Sequence, residues 1–122
     1  MENRNKNPRR LALDVLEKTA HGQYANLALD AALKRAELSP ADRGLATALV
    51  YGVLEKQERL DYAIPFYANR PLTELTPDVL GLLRLGLYQL CFLERVPDHA
   101  AVNETVALAG RRTAGFVNAV LR

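Results

Sequence analysis

Hydrophobic positions recur every three or four residues along most of this chain, and the longest apolar run spans residues 79–93. Eleven of these fifteen residues are apolar and Leu predominates, without the period-two alternation of a half-buried strand. Thr76, Pro77 and Asp78 precede the run with a helix N-cap, a proline for the first helical position and an acid for the first turn. The pattern predicts a buried central helix over about residues 77–94, surrounded by the remaining segments.

Two shorter helices are predicted before this one. Pro8 fits the first position of an amphipathic helix that extends to Thr19. His21 and Gly22 break the pattern, and an alanine-rich helix follows over about residues 24–36. Residues 1–7 contain no apolar residue after the initial Met, so we expect a flexible basic arm there.

A third helix is predicted from the start signal at Ser39 and Pro40. Its apolar stripe is interrupted by the polar run 55–59 and resumes at Leu60, which predicts a break and a separate fourth helix. Pro65 should kink or end that fourth helix, because a proline in a helix interior removes a hydrogen bond and clashes with the preceding turn.

The rest of the chain predicts a loop over residues 69–76 and, after the central helix, two more helices. One begins at Pro97 and Asp98, and the last covers residues 115–122. No strand pattern appears anywhere. The sequence therefore predicts an all-α bundle of six to seven helices, formed by residues 8–122 as one domain.

Charge is distributed unevenly, although the net charge is only +2. The first ten residues hold Arg4, Lys6, Arg9 and Arg10 against one acid, Glu2. Arginines at the start of a helix oppose the helix macrodipole unless an anion compensates them. These four residues are the first candidates for binding phosphate groups; the alternative is a solvated arm beside an ordinary surface helix.

A second, weaker basic patch is formed by Arg111 and Arg112. After Glu104 the chain has three arginines and no acid. Sequence alone leaves open whether this pair lies on the same face as the N-terminal arm.

The single cysteine, Cys91, excludes an internal disulfide and a zinc cluster. Its apolar neighbours Leu90 and Phe92 favour a small core residue over a reactive nucleophile. The N-terminus is basic but lacks the apolar run of a signal peptide, which suits a cytoplasmic protein.

Three further features have ordinary structural interpretations. Arg84 interrupts the central helix and should pair with an internal carboxylate such as Asp61 or Glu104 rather than with RNA. His99 is expected to take part in capping and interhelical hydrogen bonding, because no third metal ligand is near it. The five tyrosines are too widely spread for a stacking platform, and most should line the core with a hydroxyl at its edge.

Four stretches of the chain are informative together: DRGLATALVYGVLEKQERLDYAI, LLRLGLYQLCFL, RVPDHAAVNETVALA and GFVNAVLR. In this order and spacing they resemble the NusB-like RNA-binding domain. Within that superfamily they are most similar to the N-terminal domain of the RsmB (Sun or Fmu) type of rRNA cytosine-5 methyltransferases. Two details favour this version over the stand-alone NusB factor, namely Asp98-His99-Ala100 and the terminal Leu121-Arg122.

The resemblance implies a helical bundle whose arginine-rich N-terminal helix faces small-subunit rRNA. It also implies a further C-terminal domain that binds S-adenosylmethionine and carries the nucleophilic cysteines. This chain has no glycine-rich strand–turn–helix signature and no Pro-Cys dipeptide. We therefore expect a fragment that catalyses nothing by itself, holds no cofactor or metal, does not bind a membrane, and has RNA and its own methyltransferase domain as partners.

Two other functions stay open at this point. One is a stand-alone antitermination factor that binds a leader RNA together with a ribosomal protein. The other is a structural interaction module that packs on its catalytic domain without touching RNA, for which exposed apolar patches rather than a basic cleft would be expected.

Overall fold

The computed structural model describes residues 6–122, and within that range every regular element is helical. The described residues divide into two compact units, one up to Leu54 and one from Glu55 to Arg122. The α-helices are α1 (Pro8–Ala20), α2 (Ala25–Arg35), α3 (Pro40–Ala68), α4 (Pro77–Phe92), α5 (Asp98–Val106) and α6 (Ala114–Leu121), with a short 3-10 helix at Leu72–Glu74. The predicted all-α class is confirmed.

The first unit contains α1, α2 and the beginning of α3, and α1 packs against α2. Gly22, with a φ of 100°, makes the turn between these two helices in a conformation that glycine adopts readily. The buried side chains recur at helical spacing on each helix; they are Leu11, Ala12, Val15, Ala28, Leu29, Ala46, Leu49, Val50 and Val53.

In the second unit, α4 packs against α5 and α6, and α5 packs against α6. Gly86 allows a close approach, because a Cβ placed on it would lie 2.5 Å from a terminal methyl carbon of Leu121. Gln89 and Thr105 are fully buried, and the Gln89 amide donates to the Thr105 hydroxyl at 2.9 Å and to the Leu85 carbonyl at 3.1 Å. This polar contact joins α4 to α5 inside an otherwise apolar core.

Local start signals place three helices where the sequence predicts them. The Ser39 hydroxyl accepts from the backbone N–H of Asp42 at 3.1 Å, and the Thr76 hydroxyl accepts from that of Val79 at 3.4 Å. Each cap is followed by a proline at the start of its helix, and the same holds for Pro8 in α1. Caps within four residues of their partners are local interactions, which is why sequence predicts them well.

The predicted break at residues 55–59 is wrong, because α3 continues through it as one helix of 29 residues. The polar run consists of good helix formers, and half-buried Gln57 fills the stripe between buried Val53 and Leu60. Pro65 lies inside the helix, which ends three residues later at Ala68. Asn69 follows with a φ of 56°, a left-handed conformation that Asn tolerates and that ends many helices.

Candidate nucleic-acid interface

A side-chain N-cap fixes the start of α1 at two consecutive arginines. The Asn7 side-chain oxygen accepts hydrogen bonds from the backbone N–H of Arg9 at 3.0 Å and of Arg10 at 3.1 Å. Asn7 itself is extended, Pro8 occupies the first turn, and Leu11 immediately after the pair is buried. The backbone that carries both guanidinium groups is therefore fixed between a cap and the core.

The electrostatics of this helix start favour an anion. The first turn of α1 has no acidic residue, and Arg9 and Arg10 are both half-buried. The N-terminal end of a helix carries a partial positive charge from its unpaired N–H groups, to which the arginines add two full charges. A phosphate placed here would meet a positive field from both sources.

The other two N-terminal candidates for phosphate binding are Lys6 and Arg4. The Lys6 ammonium lies 3.7 Å from a carboxylate oxygen of Glu37, and the two side chains are 59% and 72% exposed. A solvent-exposed pair of this kind contributes little free energy, so Lys6 can exchange Glu37 for a phosphate. Arg4 lies outside the described residues.

The second candidate pair, Arg111 and Arg112, is exposed in the turn immediately before α6. This turn is held by backbone hydrogen bonds from Thr113 and Ala114 to the Gly110 carbonyl, at 3.1 and 2.9 Å. The first turn of α6 has no acid, and Thr113 makes no side-chain cap hydrogen bond. Both arginine pairs thus stand at the start of a helix without an acid in its first turn, one pair in each unit.

The prediction that most tyrosines line the core is wrong. Four of the five are exposed, and Tyr88 alone is half-buried. For Tyr51 and Tyr62 the helical phase explains this difference, because each lies two positions from buried residues of α3 and therefore points to the opposite side. Tyr24 precedes α2 rather than lying within it. The exposed tyrosines are Tyr24, Tyr51, Tyr62 and Tyr67.

Two exposed aromatic rings that sequence reasoning missed form a pair on α3. Tyr62 and Phe66 are 75% and 71% exposed, and their ring centroids are 5.7 Å apart in a tilted arrangement. They are spaced four residues apart, and each lies two positions from a member of the buried stripe at Leu60 and Ile64. This spacing relative to the buried stripe is the sequence signal that predicts exposure of both rings.

A third aromatic ring, that of Phe116, makes a cation–π contact with an arginine. The Arg70 guanidinium carbon lies 4.8 Å from the ring centroid of Phe116, within the range of a cation–π contact. Phe116 belongs to the first turn of α6, so this contact ties the chain just after α3 to the helix that follows Arg111 and Arg112.

Arg84 has the internal partner that the sequence predicts. Its Nε and Nη2 donate to the two carboxylate oxygens of Asp61 at 2.7 and 2.8 Å, a bidentate pair between α4 and α3. Both side chains are less than a quarter exposed. Asp61, rather than Glu104, is the partner, and this pairing makes Arg84 a structural residue.

Cys91 is exposed at the end of α4, so the prediction that it is a core residue is wrong. Partial burial of the thiol nevertheless raises its pKa above the ordinary value. A nucleophilic cysteine needs a lowered pKa, so the geometry does not favour catalysis at this position. Burial, and then the charge of Glu55, also raise the pKa of Tyr88.

His99 is exposed, and α5 begins without a side-chain cap hydrogen bond, so the predicted capping is not found there. Residues 6–122 contain no group of three or more His, Cys, Asp or Glu side chains arranged to hold a metal ion. No helix in that range is long and apolar enough to cross a membrane.

Comparison with known proteins gives two results. The model of the NusB family matches residues 6–122. The chain is also 45% identical over 119 residues to the probable ribosomal RNA small subunit methyltransferase B of Bacillus subtilis, covering 93% of this chain and 26% of that protein. Over 118 residues it is 45% identical to ribosomal RNA small subunit methyltransferase B of Thermus thermophilus, covering 94% of this chain and 29% of that protein.

The chain therefore spans less than a third of the length of these relatives. The family match covers nearly the whole chain and agrees with the all-helical fold. This chain belongs to the NusB family.

Proposed function

We propose that this domain binds RNA and helps hold small-subunit rRNA for a cytosine-5 methyltransferase domain that uses S-adenosylmethionine. The family assignment and the names of the two relatives support the class of function. The observation that carries the proposal is the start of α1, where the Asn7 cap fixes the backbone of Arg9 and Arg10 within a first helical turn that contains no acidic residue.

The chemistry of the site is recognition of phosphate. Guanidinium groups donate two parallel hydrogen bonds to phosphate oxygens and also stack on unpaired bases, which suits RNA loops and bulges. If Arg4, Lys6, Arg9 and Arg10 each meet one phosphate, the logarithm of affinity falls with the logarithm of salt concentration with a slope of roughly −3 to −4.

The role in the longer protein is positioning. The buried residues Leu11, Ala12 and Val15 anchor α1, and the cap fixes the first turn to that anchor. RNA bound by Arg9 and Arg10 is therefore held in one direction relative to the helical body, which a flexible tether alone does not achieve. Fixed geometry of this kind lowers the entropic cost of bringing a target base to a distant active site.

We assign S-adenosylmethionine to the methyltransferase domain rather than to this helical domain. Residues 6–122 form helices and no parallel sheet, so they do not build the strand–glycine loop–helix cradle typical of Rossmann-type nucleotide sites. The cofactor and the nucleophile belong, in this proposal, to the methyltransferase domain, and no chemical step is assigned to this domain.

The test is binding of this chain to a hairpin from small-subunit rRNA over a salt series. The variant is Arg9→Ala with Arg10→Ala. The matched control is Lys34→Ala with Arg35→Ala, which removes the same charge from two exposed residues in the last turn of α2.

We expect the α1 variant to bind more weakly and its salt slope to be smaller in magnitude by roughly 1.5, because two phosphate contacts are lost. The α2 control should change affinity much less. Equal losses in both variants would show nonspecific charge attraction rather than a site at α1, and absence of binding by the unaltered chain would overturn the proposal.

A further inference from the structure

The part of α3 that belongs to the second unit has a row of exposed side chains on its outer face. Successive members of the row are three or four residues apart, which places them on one side of a helix. The buried stripe of α3 lies on the opposite side. We call this row the acid–ring stripe; its members are Glu55, Glu58, Tyr62 and Phe66.

Most of the surface of the acid–ring stripe is in solvent. Tyr62 is 75% and Phe66 is 71% exposed, and their ring centroids lie 5.7 Å apart. Glu55 and Glu58 are exposed as well. Two adjacent rings in water leave apolar surface whose burial by a ligand is favourable. Because all four residues lie on one helix, the stripe is defined without reference to any other element.

All four side chains of the stripe attract the same kind of ligand group. Carboxylates accept charge-assisted hydrogen bonds from guanidinium and ammonium groups. The faces of tyrosine and phenylalanine rings attract cations. The second unit already contains two contacts of the latter kind, Lys56 over Phe92 at 5.3 Å and Arg70 over Phe116 at 4.8 Å. The chemistry of the stripe therefore favours a ligand that carries positive charge.

The cations near the stripe leave its carboxylates available. The Glu55 carboxylate lies 3.8 Å from the Lys56 ammonium, and the Glu55 side chain is 74% exposed. An ion pair with so exposed a carboxylate contributes little free energy, so Glu55 can exchange Lys56 for another cation. Arg59 is exposed next to Glu58 and, by its helical phase, lies at the edge of the stripe. Two carboxylates thus face a ligand beside one guanidinium.

From this arrangement we infer that the acid–ring stripe binds a basic amphipathic helix of a separate protein. The two carboxylates contact arginine or lysine side chains of that helix, and the two rings pack against its apolar and guanidinium groups. A helix fits because the first three members of the stripe have the i, i+3 and i+7 spacing of helix–helix contacts. Aromatic residues are also enriched at the centres of protein interfaces, whereas charged residues occupy the rim.

Other occupants fit the stripe less well. Glu55 and Glu58 repel a polyanion, so the stripe differs from the arginines of α1 that we propose for RNA. A second copy that paired stripe to stripe would add two further carboxylates rather than cations. The stripe also lies in a different unit from the Asn7 cap, and the inference goes beyond the proposed RNA-binding function.

The experiment measures binding of this chain to a fluorescein-labelled synthetic peptide of about 18 residues, long enough to form a helix. One face of the peptide carries arginine and leucine, and the other carries alanine and glutamine. The control peptide has the same composition, with the arginines moved to the opposite face. Fluorescence anisotropy at low and at high salt gives the affinities.

Two double variants test the two halves of the stripe. Tyr62→Ala with Phe66→Ala removes the rings, and Tyr24→Ala is its control, since Tyr24 is 76% exposed in the other unit. Circular dichroism checks that the variants fold.

Glu55→Gln with Glu58→Gln removes the two charges of the stripe. Its matched control is Glu74→Gln with Glu94→Gln, two exposed acids of the second unit that lie outside α3.

We expect the ring variant to bind the peptide at least about tenfold more weakly, because aromatic residues at the centre of an interface carry much of its affinity. The acid variant should lose about threefold to tenfold at low salt and less at high salt, since exposed ion pairs are screened. Both controls should retain the affinity of the unaltered chain.

Charge reversal gives a gain of binding that unfolding cannot imitate. Glu55→Lys with Glu58→Lys should lose the arginine peptide and bind a peptide in which glutamate replaces each arginine. The unaltered chain should not bind the glutamate peptide. Failure of the reversed variant to bind it would contradict the role of the two carboxylates.

Four results would overturn the inference. Equal affinity for the two arginine peptides would show nonspecific charge attraction, and unchanged affinity of the ring variant would place the peptide elsewhere. Self-association of the unaltered chain that the ring variant lacks would make a second copy the occupant. Loss of hairpin affinity in the ring variant with unchanged peptide affinity would make the stripe a nucleic-acid surface.

The proposed RNA function fails or stands separately. Arg9→Ala with Arg10→Ala should leave peptide affinity unchanged, because these arginines lie in the other unit. A chain that binds the peptide but no RNA would leave the inference intact and remove the proposed function, and the reverse result would do the opposite.

Discussion

The two compact units of this chain each present an arginine pair at a helix start, but they hold it by different means. In the first unit the Asn7 side chain caps α1 beneath Arg9 and Arg10. In the second, Arg111 and Arg112 lie in a turn held by backbone hydrogen bonds to the Gly110 carbonyl. A side-chain cap fixes the direction of the first pair, so we expect the first pair to determine orientation and the second to add affinity.

The two units also differ in the polar side chains that they bury. The buried positions of the first unit are apolar, whereas the second contains the Gln89–Thr105 contact and the Asp61–Arg84 pair. Such groups are costly to leave without partners, so they fix one arrangement of the helices that contain them. This difference makes the second unit more sensitive to single polar substitutions.

The largest effect is expected from Asp61→Ala, which leaves Arg84 without its bidentate partner. We expect the free energy of unfolding to fall by about 2–3 kcal/mol, below the value for a fully buried pair because both side chains keep some exposure. Urea denaturation measures this. Glu55→Ala is the control, since its carboxylate, 3.8 Å from the Lys56 ammonium, belongs to a side chain that is 74% exposed. A similar loss in both variants would contradict the structural role of Arg84.

Gln89→Leu should destabilise the second unit by about 1–3 kcal/mol, because the Thr105 hydroxyl loses its buried donor. Adding Thr105→Val should recover part of this loss, since replacing both polar partners removes the unsatisfied group. A double-mutant cycle from denaturation curves gives the coupling. Strictly additive losses would show that the contact contributes nothing of its own.

Asn7→Ala should lower the free energy of unfolding by about 1 kcal/mol, the usual cost of losing an N-cap. It should also weaken hairpin binding while leaving every charge in place, because the backbone of Arg9 and Arg10 is no longer fixed. Thr113→Ala, at the uncapped start of α6, should change stability much less. Equal effects of the two substitutions would remove the proposed difference between the arginine pairs.

Alkaline pH should affect the second unit through Cys91. Burial raises the pKa of this thiol in the folded chain, so the folded state retains the proton to higher pH than the unfolded state. The resulting stability is present below the unfolded pKa and is lost as pH rises from there through the raised folded pKa. Alkylation of Cys91 by iodoacetamide should reach half its maximal rate at a higher pH in the folded chain than in urea. A lower pH in the folded chain would contradict the raised pKa of the thiol.

The smallest effect is expected from Glu37→Gln, which removes the exposed partner of Lys6. Stability should change by less than about 0.5 kcal/mol. Hairpin affinity should rise slightly at low salt, since Lys6 no longer has a competing carboxylate. Calorimetric titration measures this, and a fall in affinity would mean that Glu37 orients Lys6 toward RNA.

Much of the fold could be predicted because its signals are local. The caps at Ser39 and Thr76 and the prolines behind them mark helix starts within four residues. The predicted break at residues 55–59 is wrong because the polar run keeps the helical phase of the apolar stripe on either side of it. The helix continues because Val53, Gln57 and Leu60 keep that phase.

The candidate site was predictable in part for the same reason. Arginines at a helix start conflict with the macrodipole, so Arg9 and Arg10 could be predicted from the sequence. Arg111 and Arg112 could be predicted because the chain after Glu104 has arginines and no acid. Whether they bind RNA stays a prediction. The exposed pair of Tyr62 and Phe66 could not be recognised by counting tyrosines, since exposure depends on which side of α3 other helices cover.

The sequence by itself determined the helical class, the proline at the start of α1, the capped starts of α3 and α4, and the positions of the basic residues. These depend on hydrogen bonds and dipoles within one turn of the chain. Only the tertiary structure decided that Arg84 pairs with Asp61, that Arg70 lies over Phe116, and that Cys91 is exposed. Those outcomes depend on residues far apart in sequence, whose approach is fixed by the packing of whole helices rather than by local preference.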